Sequence, residues 1–305
     1  MTADIQRVSA CVGWAAAAVA FFALHSVASA QGAAPALSAV SGATPMVAPA
    51  APPAPTPVLA GPATPIAPPP AACNAPAELA RLDRPLIHTM RRLASGEPLT
   101  IVAIGSSSTA GAGASSPTAS YPSRLAVELK ARFSGRDITV LNRGANGEET
   151  DNMMARFDRD VMAAHPQLVI WQVGTNSVLR DHPLNPHAVE LREGIEELKA
   201  AGADVILVDP QYAPQVLAKP ETQAMVEQIA LAAKQQNVDL FPRFAVMRNW
   251  YEAGHLGFDV FVSPDHLHMN DWSYACLAKL LGAAIGEAAT RPIAAAHGAH
   301  TATLP

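Results

Sequence analysis

Short apolar segments alternate with helix-forming segments between residues 78 and 289, and this alternation limits the possible folds. The strand-like segments are 99–105, 138–142, 168–173, 205–208 and 239–241. Apolar residues at helical spacing fill the intervals, as at Leu191, Ile195 and Leu198. Parallel strands joined by crossover helices need helices on both faces of the sheet. The sequence therefore predicts a three-layer α/β/α sandwich with a mainly parallel five-stranded sheet.

The helical spacing of apolar residues also predicts where the helices lie. Helices are predicted over 78–94, 121–133, 148–164 and 222–236, with another ending at Gly202 and a last one that contains Leu277, Leu281 and Ile285. In this arrangement the turns that follow the strands meet at one edge of the sheet, which is where open α/β folds bind ligands.

Residues 1–30 have the pattern of an export signal. Arg7 precedes an apolar run over 8–24, and Ala28-Ser29-Ala30 forms a small-x-small cleavage site. This predicts a periplasmic or secreted protein. The alternative is an uncleaved run 8–24 that tethers the chain to the inner membrane.

The segments on either side of the predicted domain have biased compositions. Residues 31–77 are rich in Pro and Ala, which predicts a disordered, extended linker. Residues 290–305 are rich in Ala and His without periodicity, which predicts a disordered tail. The formal net charge is −5, so the composition gives no support for nucleic-acid binding.

Three cysteines occur in the chain. Cys11 would leave with the signal, so Cys73 and Cys276 remain as a pair in an oxidising compartment. We expect a disulfide between them if the fold brings the two thiols together.

A run of serines follows the first strand. Residues 101–104 are apolar and are succeeded by Gly105, Ser106, Ser107 and Ser108, which predicts a tight turn at the carboxyl edge of the sheet. One of these serines is a candidate nucleophile. A Ser/Gly-rich loop without chemistry is the alternative.

A loop near the end of the domain carries Asp265, His266 and His268. A serine nucleophile needs a base and a carboxylate that orients the base, and Asp265 and His268 suit these roles. The same side chains are also metal-ligand types, but no H-E-x-x-H or similar helical pairing accompanies them. Ordinary surface-loop histidines are a third interpretation. We expect no metal and no cofactor.

Two other turns supply candidate donors for an oxyanion hole. Gly144 offers a main-chain N–H and Asn176 a side-chain NH₂. Either residue also suits a purely structural turn.

Four motifs together resemble the SGNH, or GDSL-like, hydrolases. They are Gly105 to Gly111, Asn142-Arg143-Gly144, Gly174-Thr175-Asn176 and Asp265-His266-Leu267-His268. The resemblance implies the flavodoxin-like fold of that family and a serine esterase. It also implies Ser107 as nucleophile, His268 as base and Asp265 as its orienting acid. The oxyanion donors would be the Ser107 and Gly144 amides and the Asn176 side chain.

The chain departs from the family pattern at two positions. Ser106 stands where the family usually has Asp, and Ser177 where it often has Asp. Neither family aspartate is the triad acid, so activity need not be lost. The departure at Ser106 leaves open an inactive, carbohydrate-binding descendant of the same fold.

The expected substrate follows from the predicted location. Export and a long linker favour an O-acetyl ester on a cell-envelope polysaccharide or peptidoglycan. A lipid or short-chain acyl ester, or acyl transfer to a second sugar, would use the same residues. Aromatic residues between 250 and 261 either form a wall over the site or pack in the core.

Overall fold

A parallel sheet forms the centre of the computed structural model, which describes residues 72–292. Its strands are β1 (Leu99–Gly105), β2 (Ile138–Gly144), β3 (Leu168–Gln172), β4 (Asp204–Val208) and β5 (Asp239–Phe241). Their order across the sheet is β2-β1-β3-β4-β5, and every pairing is parallel. The predicted export signal, the linker up to residue 71 and the tail from residue 293 lie outside the described residues.

Helices connect the strands throughout residues 72–292. They are α1 (Ile87–Ser95), α2 (Ser107–Ala110), α3 (Tyr121–Arg132), α4 (Thr150–Met154), α5 (Phe157–Asp160), α6 (Thr175–Leu179), α7 (Leu184–Ala200), α8 (Pro214–Leu217), α9 (Thr222–Gln235), α10 (Arg243–Glu252), α11 (Phe258–Phe261) and α12 (Asp271–Ala288). Short 3₁₀ turns occur at Pro117–Ala119 and Met162–Ala164.

Each face of the sheet has its own buried core. Ile101 and Ala103 of β1 face one core, which includes apolar residues of α3 and α12. Val102 and Ile104 face the other core, which includes apolar residues of α7 and α9. This alternation is what a strand buried on both faces requires. The predicted three-layer α/β/α sandwich is confirmed.

The first helix starts later than predicted. It begins at Ile87 and not at residue 78. Pro85 disfavours helical geometry at the residue before it. The main-chain N–H groups of Asp83 and Arg84 instead donate to Asp239 Oδ1, at 2.9 and 3.1 Å, which ties this segment to β5.

The helix predicted over 148–164 is divided into α4, α5 and a 3₁₀ turn. The break falls at Arg156, whose φ of −120° and ψ of 11° lie outside the helical region. The Arg156 side chain is buried and bonded to other segments, so tertiary contacts override the helical pattern here. Helices α10 and α11 were not predicted.

The expected disulfide is present. Cys73 and Cys276 are bonded with their Cα atoms 5.3 Å apart, which fixes the start of the domain to α12. Next to it, Trp250 Nε1 donates to the Asn74 carbonyl oxygen at 2.9 Å. No helix between residues 72 and 292 is both long and apolar enough to span a membrane, and the predicted run 8–24 is not among those residues.

Removing the disulfide should destabilise the fold. The bond closes a loop with a sequence separation of 203, which restricts the unfolded chain. We expect a C73A/C276A double variant to lose about 3 kcal/mol of unfolding free energy in urea titrations. Wild-type protein with a reducing agent should show the same loss, and an unchanged midpoint in both would contradict this assignment.

A buried carboxyl group follows β4. Asp209 is 1% exposed and accepts the Phe244 N–H at 2.8 Å. Burial raises the pKa of Asp209 to about 7, because the charged form loses its hydration; the Phe244 N–H and the nearby Arg243 only partly oppose this. The folded protein therefore keeps a proton that the unfolded chain releases near pH 4.

This raised pKa makes folding stability depend on pH. The stabilising contribution of Asp209 is complete below pH about 4 and is lost as the pH rises to about 7. We expect the unfolding free energy of wild type, relative to Asp209→Asn, to fall by about 3 kcal/mol over that range. The asparagine oxygen can still accept the Phe244 N–H. Urea titrations at several pH values, with the exposed Asp137→Asn as control, measure the difference; parallel curves would contradict it.

Candidate active site

The three consecutive serines after β1 have different surroundings. Ser106 and Ser108 are buried, whereas Ser107 is half-buried at the start of α2. Ser106 donates both its N–H and its hydroxyl to Gln172 Oε1, each at 3.0 Å. Ser108 Oγ donates to Gln211 Oε1 at 3.4 Å. Ser107 is the serine of this turn whose hydroxyl contacts the loop that carries Asp265 and His268.

The Ser107 hydroxyl is joined to the loop predicted to carry the base and the acid. His268 Nε2 lies 2.8 Å from Ser107 Oγ. On the other side of the ring, His268 Nδ1 lies 2.5 Å from Asp265 Oδ2. A carboxylate can only accept, so Nδ1 carries the hydrogen and Nε2 is left to accept from the serine.

The Asp265 carboxylate is held by donors of its own loop. Its Oδ1 accepts from Ser263 Oγ at 2.7 Å and from the N–H groups of Leu267 and His268, both at 2.9 Å. Burial alone would raise the pKa of Asp265, but these hydrogen bonds and the one from the His268 ring together hold it well below its usual range. The group is therefore ionised at neutral pH and can orient the imidazole.

The loop is braced against the strand edge. Val262 and Met269 form an antiparallel bridge across its base. Gln211 Nε2 donates to the Leu267 carbonyl oxygen at 3.3 Å, and Gln215 Nε2 to that of Asp265 at 2.7 Å. Both glutamines follow β4, so these contacts hold the loop against the segment after that strand.

Gly144 lies where two backbones approach closely. It pairs with Gly105 at the end of β1, and a Cβ on Gly144 would lie 2.0 Å from the Ala110 nitrogen. Only glycine fits this position without a shift of α2. Its N–H donates to Asn142 Oδ1 at 2.9 Å, and one N–H can be shared between two acceptors.

Asn176 belongs to α6, just beyond β3. Its Nδ2 donates to the Glu148 carbonyl oxygen at 2.7 Å, which fixes the side-chain amide. The amide nitrogen carries a second hydrogen for another acceptor. The next residue, Ser177, stands where the family often has Asp. Its side chain hydrogen-bonds to Glu149, so the serine has a local partner here.

Three polar residues that support the site were not predicted as functional. Gln172 binds the turn that carries Ser107, and Gln211 links Ser108, Thr175 and the Leu267 carbonyl. Arg156 binds main-chain oxygens of β1 and β2. A signal existed for Gln172, since it is the polar residue of an otherwise apolar strand.

His266 has a main-chain role in the loop. Its φ is 59°, its N–H donates to Ser263 O at 3.0 Å, and its carbonyl accepts from Gln215 N at 3.1 Å. Within residues 72–292, no group of three or more His, Cys, Asp or Glu side chains has the arrangement of a metal site.

The aromatic segment 250–261 is divided between packing and exposure. Trp250 and Phe261 are buried and their rings meet edge to face. Tyr251 is 41% exposed and stacks on Phe258, which also stacks on Tyr212. Packing is thus the role of the first pair.

Part of the chain is similar in sequence to a bacterial arylesterase. An arylesterase from Vibrio mimicus is 30% identical over 125 residues, which are 41% of this chain and 61% of that protein. The aligned region therefore spans less than two thirds of that relative.

Solved structures share the fold. A two-domain esterase (CEX) active on acetylated mannans, co-crystallised with mannopentaose, superposes with a TM-score of 0.59 at 20% identity, covering 69% of this chain and 56% of that one. The acetylxylan esterase Axe2 from Geobacillus stearothermophilus gives a TM-score of 0.52 at 21% identity, covering 62% and 94%.

The family assignment rests on a match over most of the chain. The model of the Non-GDSL lipase-like family matches residues 72–291, which include the four motifs and the Ser107, His268 and Asp265 contacts. The resemblance inferred from the motifs is thereby confirmed, and the chain belongs to the Non-GDSL lipase-like family.

Proposed function

We propose that the chain is a carboxylic ester hydrolase with Ser107 as nucleophile, His268 as general base and Asp265 as the acid that orients it. The observation that carries the proposal is the continuous hydrogen-bond chain from Ser107 Oγ through both His268 nitrogens to Asp265 Oδ2. Nucleophile, base and orienting group within hydrogen-bond reach are the geometric signature of covalent acyl transfer.

Acylation begins with a proton transfer. His268 Nε2 takes the hydroxyl proton of Ser107 while Oγ attacks the acyl carbon, and the carbonyl oxygen gains the negative charge. The N–H groups of Ser107 and Gly144 and the Asn176 side chain would bind this oxyanion. His268 then gives the proton to the departing alcohol oxygen, which leaves an acylated Ser107.

Deacylation repeats the sequence with water. His268 removes a proton from the water molecule whose oxygen attacks the acyl carbon, and returns it to Ser107 Oγ as the ester bond breaks. The products are the alcohol and the free acid. Asp265 stays ionised throughout, consistent with its lowered pKa.

The substrate class proposed is an O-acetyl group on a cell-envelope polysaccharide or peptidoglycan. One fold relative is described as an esterase active on acetylated mannans and another as an acetylxylan esterase, and a sugar ester suits the predicted export. The disulfide between Cys73 and Cys276 agrees with an oxidising compartment.

The domain organisation belongs to the same proposal. We infer an export signal over 1–30 and a proline-rich linker from residue 31 to the catalytic domain. The domain includes 78–289, and its bounds are wider than the sequence predicts, because Cys73 is bonded to Cys276 and Arg291 donates to the Leu82 carbonyl oxygen. The linker would let a periplasmic or inner-membrane-tethered enzyme reach a polymeric substrate, since proline-rich segments act as semi-rigid spacers.

Serine-directed labelling separates an enzyme from a binding-only domain. We expect a fluorophosphonate probe to label wild type, and p-nitrophenyl acetate to be hydrolysed. Ser107→Ala should abolish both. Ser106→Ala is the matched control, because its hydroxyl contacts Gln172 and not His268, and it should remain labelled. Folded but unlabelled wild type would favour the carbohydrate-binding alternative.

Acetate release identifies the substrate class. We expect wild type to release acetate from O-acetylated glycans and to hydrolyse short-chain lipid esters much more slowly, with Ser107→Ala as the blank. The reverse preference would favour a lipid or short-chain acyl esterase. Appearance of acetylated acceptor sugar in place of acetate would favour transfer.

A further inference from the structure

One buried arginine contacts the segments that carry the oxyanion donors proposed above. Arg156 is 8% exposed. Its Nη2 donates to the carbonyl oxygens of Arg143 at 2.8 Å and Gly105 at 3.3 Å. Its Nε donates to Glu148 Oε2 at 2.7 Å and its Nη1 to Asp160 Oδ2 at 2.8 Å. The guanidinium therefore joins the ends of β1 and β2 to the start of the following helical segment.

The contact with the Arg143 carbonyl controls the Gly144 donor. The Arg143 carbonyl and the Gly144 N–H belong to one planar trans peptide, in which they point in opposite directions. Fixing the oxygen from the buried side therefore fixes the direction of the hydrogen. The Asn142 side chain accepts that N–H at 2.9 Å, so the peptide is held at both ends.

The contact with Glu148 controls the Asn176 donor. Asn176 Nδ2 donates to the main-chain oxygen of Glu148, and the side chain of the same Glu148 is bound by Arg156. A shift of Glu148 would move the Asn176 amide with it. The third proposed donor is the main-chain N–H of Ser107. Arg156 also binds the carbonyl oxygen of Gly105, two residues before Ser107, and so holds the chain that leads to this donor.

We propose that Arg156 is a positioning residue of the esterase reaction, and that its guanidinium sets the orientation of the groups that bind the oxyanion. The inference rests on the proposed function. Its effect is geometric and not a direct charge attraction, because two carboxylates, those of Glu148 and Asp160, already pair with the guanidinium.

A lysine at position 156 separates the geometric role from a simple need for a positive charge. Arginine presents five N–H donors in a planar fork, whereas the lysine ammonium is a single compact charge that cannot hold several separated oxygens in fixed directions. Lysine can still pair with Glu148 or Asp160. Arg156→Lys should therefore preserve much of the stability and lose the alignment of the donors.

The experiment compares Arg156→Lys with wild type using p-nitrophenyl acetate. We expect kcat to fall about 100-fold, because small displacements of aligned groups cost rates of that order, while KM changes less than about threefold. Affinity for a trifluoromethyl ketone, which forms a tetrahedral adduct with the serine, should fall with kcat/KM. A merely structural role would not produce this joint loss in a folded variant.

Arg159→Lys is the matched control. Arg159 lies three residues away and also pairs with Asp160, but it is 74% exposed and should keep wild-type kinetics. Glu148→Gln is the second variant. It removes the charge that pairs with the Arg156 guanidinium, and it keeps the main-chain oxygen that accepts from Asn176. The Glu148 side chain is partly exposed. We expect the kcat of this variant to fall about tenfold.

The outcomes distinguish this inference from the proposed function. Unlabelled wild type would overturn both. Labelled wild type with an Arg156→Lys variant of normal kcat would overturn the inference alone. If Arg156→Lys does not fold, Glu148→Gln decides: a reduced kcat at unchanged KM supports the positioning role, and wild-type kinetics overturns it.

Discussion

The hydrogen bond between Ser107 Oγ and His268 Nε2 is the contact on which the rest of the site depends. The two residues are 161 positions apart in the chain, so the whole domain must fold before they meet. Ser107 is placed by the end of β1, whereas His268 is placed by a loop outside the sheet. The Val262–Met269 bridge closes the base of that loop. Directly after Met269, Asn270 begins α12 with a reciprocal capping pair to Ser273.

Helix α12 connects the Ser107–His268 contact to the rest of the domain. Helix α12 follows the loop that carries Asp265 and His268, packs in the same core as Ile101 and Ala103 of β1, and is fixed to the start of the domain by the Cys73–Cys276 bond. A shift of this helix would carry His268 away from Ser107. A displacement of about 1 Å at a reacting group is enough to lower the rate of a reaction strongly. Contacts that stabilise α12 far from the site therefore also maintain the geometry within it.

Sequence patterns predicted the sheet, and they singled out the proposed site residues, because both depend on local signals. Buried strands are apolar, crossover helices are amphipathic, and the turns carry Gly, Ser and Asn. The supporting residues depend on tertiary contacts. Arg156 lies within a helical pattern where an arginine normally faces solvent, and nothing in its neighbours indicates that it turns inward to the oxygens of Gly105 and Arg143. The break between α4 and α5 was missed for the same reason.

The contacts of Gln172 give a physical reason for a serine at position 106. Gln172 Oε1 accepts from the Ser106 N–H, the Ser106 hydroxyl and Thr109 Oγ1. An aspartate at 106 would direct a carboxylate at this oxygen, so two acceptors would face each other in a buried space. The amide of Gln172 would then have to turn, and the main-chain N–H at 106 would lose its acceptor, at a cost of the order of 1–3 kcal/mol. Serine at 106 and glutamine at 172 therefore form a neutral hydrogen-bonded pair that holds the turn carrying Ser107 without a charge.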